Sequence, residues 1–409
     1  MTERVTTSLS DVVPEEALSL PSTDWGRFGP GANVVVCPSN VDEVAATIRW
    51  AGATGTRVVP IGTGRHTEGN EPSGDFLLLS TSRMASVQIY EPGDLTLTAE
   101  AGLGISALSK VTAENRQWLP FDPVDFPRRS LGGLGAAGQT GPLWTGYGEL
   151  KNHILGMTVV CGDGRFLKLG GRVVKNVAGF DILRPVVGSR GALAVITSLT
   201  VRLFPRPVVD RLLVLEAKSL VDLVGPARAV AMASVLPASI VLVRERNVCQ
   251  LLVRLHGAAE TADADQRTVE AAAGVPFVAV DGGSARVLAD SVRDIGGESD
   301  LALHAFVLPS RLRELLAIVN DMVDLNVCAD VYRGSLRVSC APEADADEIA
   351  TRVRHGMERV AEDVVVERLP RGSTHSLGTS RVRSDAVLEL ERGVKRVFDA
   401  GNVLWDGRP

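Results

Sequence analysis

The sequence predicts an α+β protein built in two units, and three observations carry that prediction. Short β-branched runs alternate with stretches of helical period. The grammar changes after Pro205-Arg206-Pro207. Beyond that point the order strand–helix–strand–strand–helix–strand occurs twice, which suggests a duplicated split-βαβ motif packed into one antiparallel sheet. The two copies share negligible sequence identity, so the repeat is one of architecture. The chain of 409 residues has room for two or three domains and a large core.

The elements follow in order. Residues 1–28 are polar and punctuated by Pro and Ser, as in an arm. Val34-Val35-Val36-Cys37 is a short buried strand. Ser39 is the expected N-cap of a helix whose apolar face is Val41, Val44, Ala45 and Ile48, and Gly55-Thr56 breaks it. Arg57-Val58-Val59-Pro60-Ile61 is the next strand, so the short crossover predicts parallel pairing. A loop from Gly62 to Asn70 precedes a strand at Phe76-Leu77-Leu78-Leu79-Ser80. Two strands, at 87–90 and 95–99, flank the turn Glu91-Pro92-Gly93-Asp94. A helix is expected over 105–117, little periodicity over 120–146, and a hairpin around Gly162-Asp163-Gly164-Arg165.

In the second unit, strands are expected at 212–215, 240–244, 249–255 and 277–280, with helices over 220–232 and 260–273. Strands at 303–308, 327–331, 336–340 and 364–367, with a helix capped by Ser310 and another over 343–361, make the second copy.

Bulk properties exclude several functions. Hydrophobic residues are 45% and charged residues 22%, ordinary values for a soluble protein. The net charge of −6 and the 4% aromatic content give no footprint for nucleic acid. No apolar run approaches the ~20 residues that span a bilayer. The N-terminal residues lack a basic-then-apolar signal pattern, which places the protein in the cytoplasm. The scattered Cys37, Cys161, Cys249, Cys328 and Cys340 form no CxxC pair, read as reduced core thiols, and leave no metal or iron–sulfur site in this chain.

Two glycine-rich segments carry the chemistry. Gly62-Thr63-Gly64-Arg65-His66 directly follows a strand. Glycine permits the positive φ angles and close approach that let successive N–H groups surround a pyrophosphate. A Rossmann dinucleotide site needs G-x-G-x-x-G opening a helix, but the third position is Thr67, and Glu68-Gly69-Asn70-Glu71-Pro72 starts a helix poorly. Alone, the loop reads more readily as a surface turn than as a phosphate site. The second segment, Ser130-Leu131-Gly132-Gly133-Leu134-Gly135-Ala136-Ala137-Gly138-Gln139-Thr140-Gly141, has five glycines in twelve positions.

A third segment runs Val173-Val174-Lys175-Asn176-Val177-Ala178-Gly179-Phe180-Asp181, then Val187-Gly188-Ser189-Arg190-Gly191-Ala192-Leu193-Ala194-Val195-Ile196-Thr197. It resembles the flavin fold shared by vanillyl-alcohol oxidase and p-cresol methylhydroxylase, the PCMH type, which reads roughly KNxAGYD and then VGSxGTLGIIT. The glycine cluster at 130–141 is similar to that family's (S/T)-x-G-G-x-x-A segment along the flavin. Three matches in order, over residues 34 to 206, imply a two-subdomain PCMH-type FAD-binding fold at 29–206, an α+β cap domain at 207–380, and a C-terminal helix and tail at 381–409 returning to the FAD domain.

The resemblance also implies roles. Pro60, Ile61, Gly62, Thr63, Gly64, Arg65 and His66 would form the pyrophosphate loop. Ser130, Gly132, Gly133, Ala137, Gly138 and Gly141 would lie along the isoalloxazine and ribityl chain, and Gly191 and Ile196 beside the adenosine. Family members with covalent flavin use a histidine in the first loop. That position holds Arg65 here, with His66 one residue on, so FAD is expected to be non-covalent. Arg190, Ala192 and Ala194 depart from the family pattern.

Within the family, the chain resembles the FAD-binding E subunit of bacterial glycolate oxidase through Leu131-Gly132-Gly133, Gly141-Pro142, residues 174–181 and Val397-Phe398-Asp399-Ala400-Gly401-Asn402. This implies a small 2-hydroxy acid as substrate of a complex, a catalytic D-type flavoprotein and an iron–sulfur F-type subunit as partners, and attachment to the inner face of the membrane only through them. The family's HxGDGNxH-like and EHGxG-like motifs are absent among His66, His153, His256, His304, His355 and His375. No catalytic base is assigned, and His375 is the least unsuitable. A self-sufficient dehydrogenase and a structural subunit with a vestigial flavin site are the alternatives.

Overall fold

The computed structural model describes residues 8–25, 28–64, 72, 74–172, 181–297, 299, 301–320, 322, 325–340, 346–369, 378–379 and 384–405. Arg65, His66, His375 and the 173–180 motif therefore lie outside the described residues.

The first sheet holds β1 (Leu18–Ser19), β2 (Val34–Val36), β3 (Arg57–Ile61) and β4 (Phe76–Ser80) in the order β1-β2-β4-β3, with α1 (Val41–Thr54) as the crossover. β2 and β3 are each parallel to β4 and do not pair with one another. The reason is burial: all five residues of β4 are inside, so the most apolar strand takes the centre. Asn40, not Ser39, caps α1; its side chain accepts from Glu43 N at 2.9 Å, while Ser39 donates through N and Oγ to the Glu43 carboxylate. Gly55 ends the helix at φ 77°.

The second sheet contains β5 (Val87–Glu91), β6 (Thr96–Glu100), β8 (Ile154–Cys161), β9 (Phe166–Gly170) and β10 (Ala194–Arg202), antiparallel in the order β5-β6-β10-β8-β9. Between them lie α2 (Ile105–Ala113), β7 (Gln117–Trp118), α3 (Leu131–Ala137), α4 (Trp144–Tyr147) and α5 (Leu183–Val186). The helix expected over 105–117 stops at Ala113. Arg116 takes φ 54°, which turns the chain so that β7 pairs with β11 (Phe204–Pro205). The glycine-rich run gains a helix the periodicity did not reveal. Its propensity is poor, but Leu131 and Leu134 are buried and Gly132 N donates to Ala101 O at 2.7 Å.

The second unit is a nine-stranded antiparallel sheet. Its first half contains β12 (Val209–Ala217), α6 (Leu220–Ala231), β13 (Ser239–Glu245), β14 (Val248–Gly257), α7 (Ala259–Ala273), β15 (Val278–Asp281) and α8 (Gly282–Arg293). Its second half contains β16 (Ala302–Phe306), α9 (Leu312–Asn320), β17 (Leu325–Asp330), β18 (Ser335–Cys340), α10 (Ala346–Glu358), β19 (Asp363–Arg368) and β20 (Gly378–Thr379). The order β15-β12-β14-β13-β17-β18-β16-β19-β20 is two split-βαβ halves joined where β13 meets β17. Ser310 lies in a 3-10 turn (Pro309–Arg311) ahead of α9 rather than at an α-helical N-cap. The helix α8, which opens on Gly282-Gly283, is not among the elements expected from sequence.

One face of this sheet packs Leu213, Leu251, Val253, Leu303, Val327 and Val338 with the helices. The strand period sends alternate residues to the opposite face, where Leu212, Arg254 and His256 meet α8 and the first unit. After α11 (Asp385–Phe398), the tail returns to β3: Val58 N donates to Val403 O and Trp405 N donates to Val58 O. Among the described residues, no helix is long and apolar enough to cross a membrane.

Candidate functional site: a glycine-lined cleft

A cleft of about 760 Å³ opens where β3 and β4 end, between the loop after β3, α3 and the start of β10. Pro60, Ile61, Gly62, Thr63 and Gly64 form one wall, and Ser130, Gly132, Gly133 and Ala137 another. Gly191 and Ile196 complete the contribution expected from sequence. Thr81, Arg129, Ala136, Arg190, Ala194 and Val195 also line it. Ladder register explains the floor: β6 pairs β10 only from Ser198 to Arg202, so residues 194–196 lie beyond that ladder and face the cleft.

The glycines are required by close approach. A Cβ on Gly62 would collide with Ser130 Oγ, and one on Gly132 would lie 2.5 Å from Ala101 Cβ. Gly191, at φ 83°, packs over the Pro60 ring. Ser130 caps α3, accepting from Gly133 N at 3.2 Å. The 188–191 turn is fixed to α3 by Gly188 N to Gly135 O at 3.1 Å and Arg190 N to Ala136 O at 2.8 Å.

Gly138 and Gly141 are not among the lining residues. Gly138 takes φ 61° to end α3 against the Gly188 backbone, and a Cβ on Gly141 would enter the Asp122 carbonyl. Both serve backbone packing beside the cleft rather than its wall.

The lining is polar in a one-sided way: among the described residues Arg129 and Arg190 are present, and no carboxylate is. Arg129 is 2% exposed, with Nε donating to Val124 O at 2.9 Å and Nη2 to Gln139 Oε1 at 2.8 Å. Backbone N–H groups, two guanidinium ions and the apolar Ile61, Val195 and Ile196 suit a ligand with a dianionic linker and flat aromatic ends. The residues therefore fit FAD. Sequence reasoning missed Arg129 although it precedes Ser130 directly, and no sequence signal marked Thr81.

The described histidines lie elsewhere. Between the units, Tyr147 Oη is 2.9 Å from His256 Nδ1, and His256 Nε2 is 3.2 Å from Asp210 Oδ1. Arg254 donates twice to Asp210, at 2.8 and 2.7 Å. Burial would raise the Asp210 carboxyl, but hydrogen bonds from Arg254 and His256 outweigh it and hold it far below the usual range. Burial pushes the Tyr147 phenol up to about 12. His153 Nε2 is bonded to Tyr147 O at 2.7 Å, and burial lowers its pKa. His304 pairs with Glu367 at 3.3 Å in the second unit's sheet. Nearby, Asp122 is buried and accepts from Leu143 N at 2.9 Å; desolvation raises its pKa to about 7. Among the described residues no group of His, Cys, Asp or Glu is arranged to hold a metal ion.

Residues 32–170 match the family described as FAD binding domain. This stretch is an FAD-binding domain. D-2-hydroxyglutarate dehydrogenase of Xanthomonas citri pv. viticola is 32% identical over 232 residues, covering 54% of this chain and 48% of that protein. Glycolate oxidase subunit GlcE of Escherichia coli K12 is 35% identical over 119 residues, 29% of this chain and 34% of its own. Glycolate oxidase subunit GlcD of Bacillus subtilis 168 is 21% identical over 416 residues, 92% of this chain and 88% of its own. The chain thus spans half or less of the first relatives it matches. Among solved structures, alkyldihydroxyacetonephosphate synthase has a TM-score of 0.74 at 14% identity, over 97% of this chain and 84% of that one. The glucose dehydrogenase Phl p 4.0202 has a TM-score of 0.73 at 13% identity, over 97% of both chains. These two likenesses speak for the fold.

Proposed function

We propose that this chain is the FAD-binding subunit of a 2-hydroxy-acid dehydrogenase complex of glycolate type. It takes electrons from a catalytic D-type flavoprotein and passes them to an iron–sulfur F-type subunit. The observation that carries the reading is the cleft: two arginines, glycine-rich backbone on two sides and no carboxylate among its described lining residues.

FAD held there supplies reversible two-electron chemistry. Pro60 to Gly64, continuing into Arg65 and His66, would hold the pyrophosphate; Ser130, Gly132, Gly133 and Ala137 would flank the ribityl chain and ring. Gly191 and Ile196 would hold the adenosine end. Gly138 and Gly141 act by letting the 138–141 loop pack closely. The flavin is non-covalent in this reading.

Support for a subunit role comes from relatives named as glycolate oxidase subunits, and from a cleft whose described lining holds no histidine for the hydroxyl proton. In the complex, oxidation of a 2-hydroxy acid to a 2-oxo acid releases two electrons and two protons, and this chain relays the electrons. The chain then works in the cytoplasm or at the inner face of the membrane through its partners. Similarity to GlcD over 92% of this chain favours one other reading, a self-sufficient FAD-dependent 2-hydroxy-acid dehydrogenase.

The test is spectroscopic. The purified chain is titrated with FAD, and the visible flavin band is followed on adding glycolate or D-lactate, with and without the partner flavoprotein. Uptake of FAD that acid releases, with bleaching only when the partner is present, is the expected result. Bleaching by the chain alone selects the self-sufficient enzyme. A chain that refuses FAD ends both readings and leaves a vestigial site.

A further inference from the structure

The two arginines of the cleft differ in what surrounds them. Arg190 belongs to the 188–191 turn and takes φ 55° there. Arg129 is held by Val124 O and Gln139 Oε1, in the two loops on which the second unit rests. Asp125 N donates to Asp294 Oδ1 at 2.9 Å, and Arg333 Nη1 donates to Thr140 Oγ1 at 2.6 Å. Gly297 approaches Val124 in the same region. Arg129 is thus the cleft's cation on the side closed by the second unit, where a reacting ring must meet its electron donor and acceptor.

A guanidinium cannot lose its charge at any working pH. Buried beside a redox ring, a fixed positive charge favours whichever state carries more negative charge. Two-electron reduction with uptake of one proton leaves a flavin ring anionic, so the reduced state gains more.

We propose that Arg129 is a positioning residue that sets the reduction potential of the flavin. It holds the reduced ring as an anion and makes the chain a better electron acceptor. The inference rests on the reading of the cleft as the FAD site.

The test uses the full chain loaded with FAD, and Arg129→Met, Arg129→Lys and Arg190→Met variants. Midpoint potential and FAD affinity are measured for each. Arg129→Met is expected to keep FAD while binding the reduced form at least tenfold less well relative to the oxidised form, a fall of about 30 mV for a two-electron couple. Arg129→Lys restores most of it, and Arg190→Met weakens FAD binding with the potential unchanged. An unchanged potential in Arg129→Met, or loss of FAD from it with the fold intact, overturns the proposal.

Should Arg129→Met fail to fold, the wild-type potential decides through its pH slope, with free FAD as reference on the acid side of neutrality. One proton taken up per two electrons gives about 30 mV per pH unit, as expected here; twice that slope means a neutral reduced ring and overturns the assignment. If the wild-type chain takes up no FAD, the reading of the cleft has failed and carries this inference with it. Normal FAD uptake with potentials insensitive to Arg129 sinks this inference alone.

Discussion

The Tyr147 hydroxyl and His256 Nδ1 meet at 2.9 Å and join the flavin-binding unit to the sheet of the second. Strand register prepares the pair, because Asp210 and His256 are direct partners across β12 and β14. Asp210 is held ionised and only accepts, so His256 Nε2 carries a proton toward it; in the neutral ring Nδ1 then accepts from the Tyr147 O–H. Trp118 packs edge-on against both rings, at 5.7 Å from Tyr147 and 5.8 Å from His256.

Tyr147→Phe keeps the ring packing and deletes that bond, leaving a buried Nδ1 without its donor. The expected loss is about 1–3 kcal/mol of stability in urea unfolding. His256→Ala added to Tyr147→Phe should then cost less than the sum of the two single changes. Additive losses would show that the bond contributes nothing to holding the units together.

Asp122 makes stability depend on pH. Its folded pKa of about 7 lies above the unfolded value of about 4, so the folded state holds the proton more tightly. The stabilisation is complete below about pH 4 and is lost as pH rises through about 7, on the order of 4 kcal/mol in all. Asp122→Asn retains an oxygen to accept from Leu143 N and should flatten this part of the stability curve. Equal slopes for both proteins in urea titrations at several pH values would refute the assignment.

Gly62→Ala places a methyl group against Ser130 Oγ inside the cleft. FAD affinity should fall at least tenfold, about 1.4 kcal/mol, with circular dichroism unchanged. Pairing it with Ser130→Gly, which removes the obstructing hydroxyl, should recover part of the loss. Calorimetric titration reads both.

Lys395 Nζ donates to Asp399 Oδ2 at 2.6 Å, Ala192 O at 2.6 Å and Leu404 O at 2.8 Å. Asp399 has a fully buried side chain and also accepts from Val403 N and Leu404 N. Lys395→Met leaves that carboxylate without its cation and should cost about 3–5 kcal/mol. The tail at 403–405 should lose its protection from hydrogen exchange first. Retained protection there would mean that the edge of β3 holds the tail without the ion pair.

Much of this was legible in order along the chain. The strands of the first sheet, the hairpin of β8 and β9, and the doubled strand–helix grammar of the second unit follow from local periodicity. Glycine loops at 62–64 and 132–133 announce backbone that must come close to something. Other features had no local signal. The Gly-rich α3 forms against propensity because Ala101 and the sheet behind it take up its buried face. Ser39 loses the cap position to Asn40, a choice between neighbours that side-chain geometry makes. Gly138 and Gly141 share the composition of the cleft glycines but face other backbone.

Sequence alone determined the class of element at most positions and which loops would need glycine, because backbone preference and apolar period act over a few residues. Only the tertiary structure decided that Arg129 and Thr81 enter the cleft, that β4 sits between β2 and β3, and that Tyr147 reaches His256. Those outcomes depend on register and burial between segments far apart in the chain, and no short window of residues contains them.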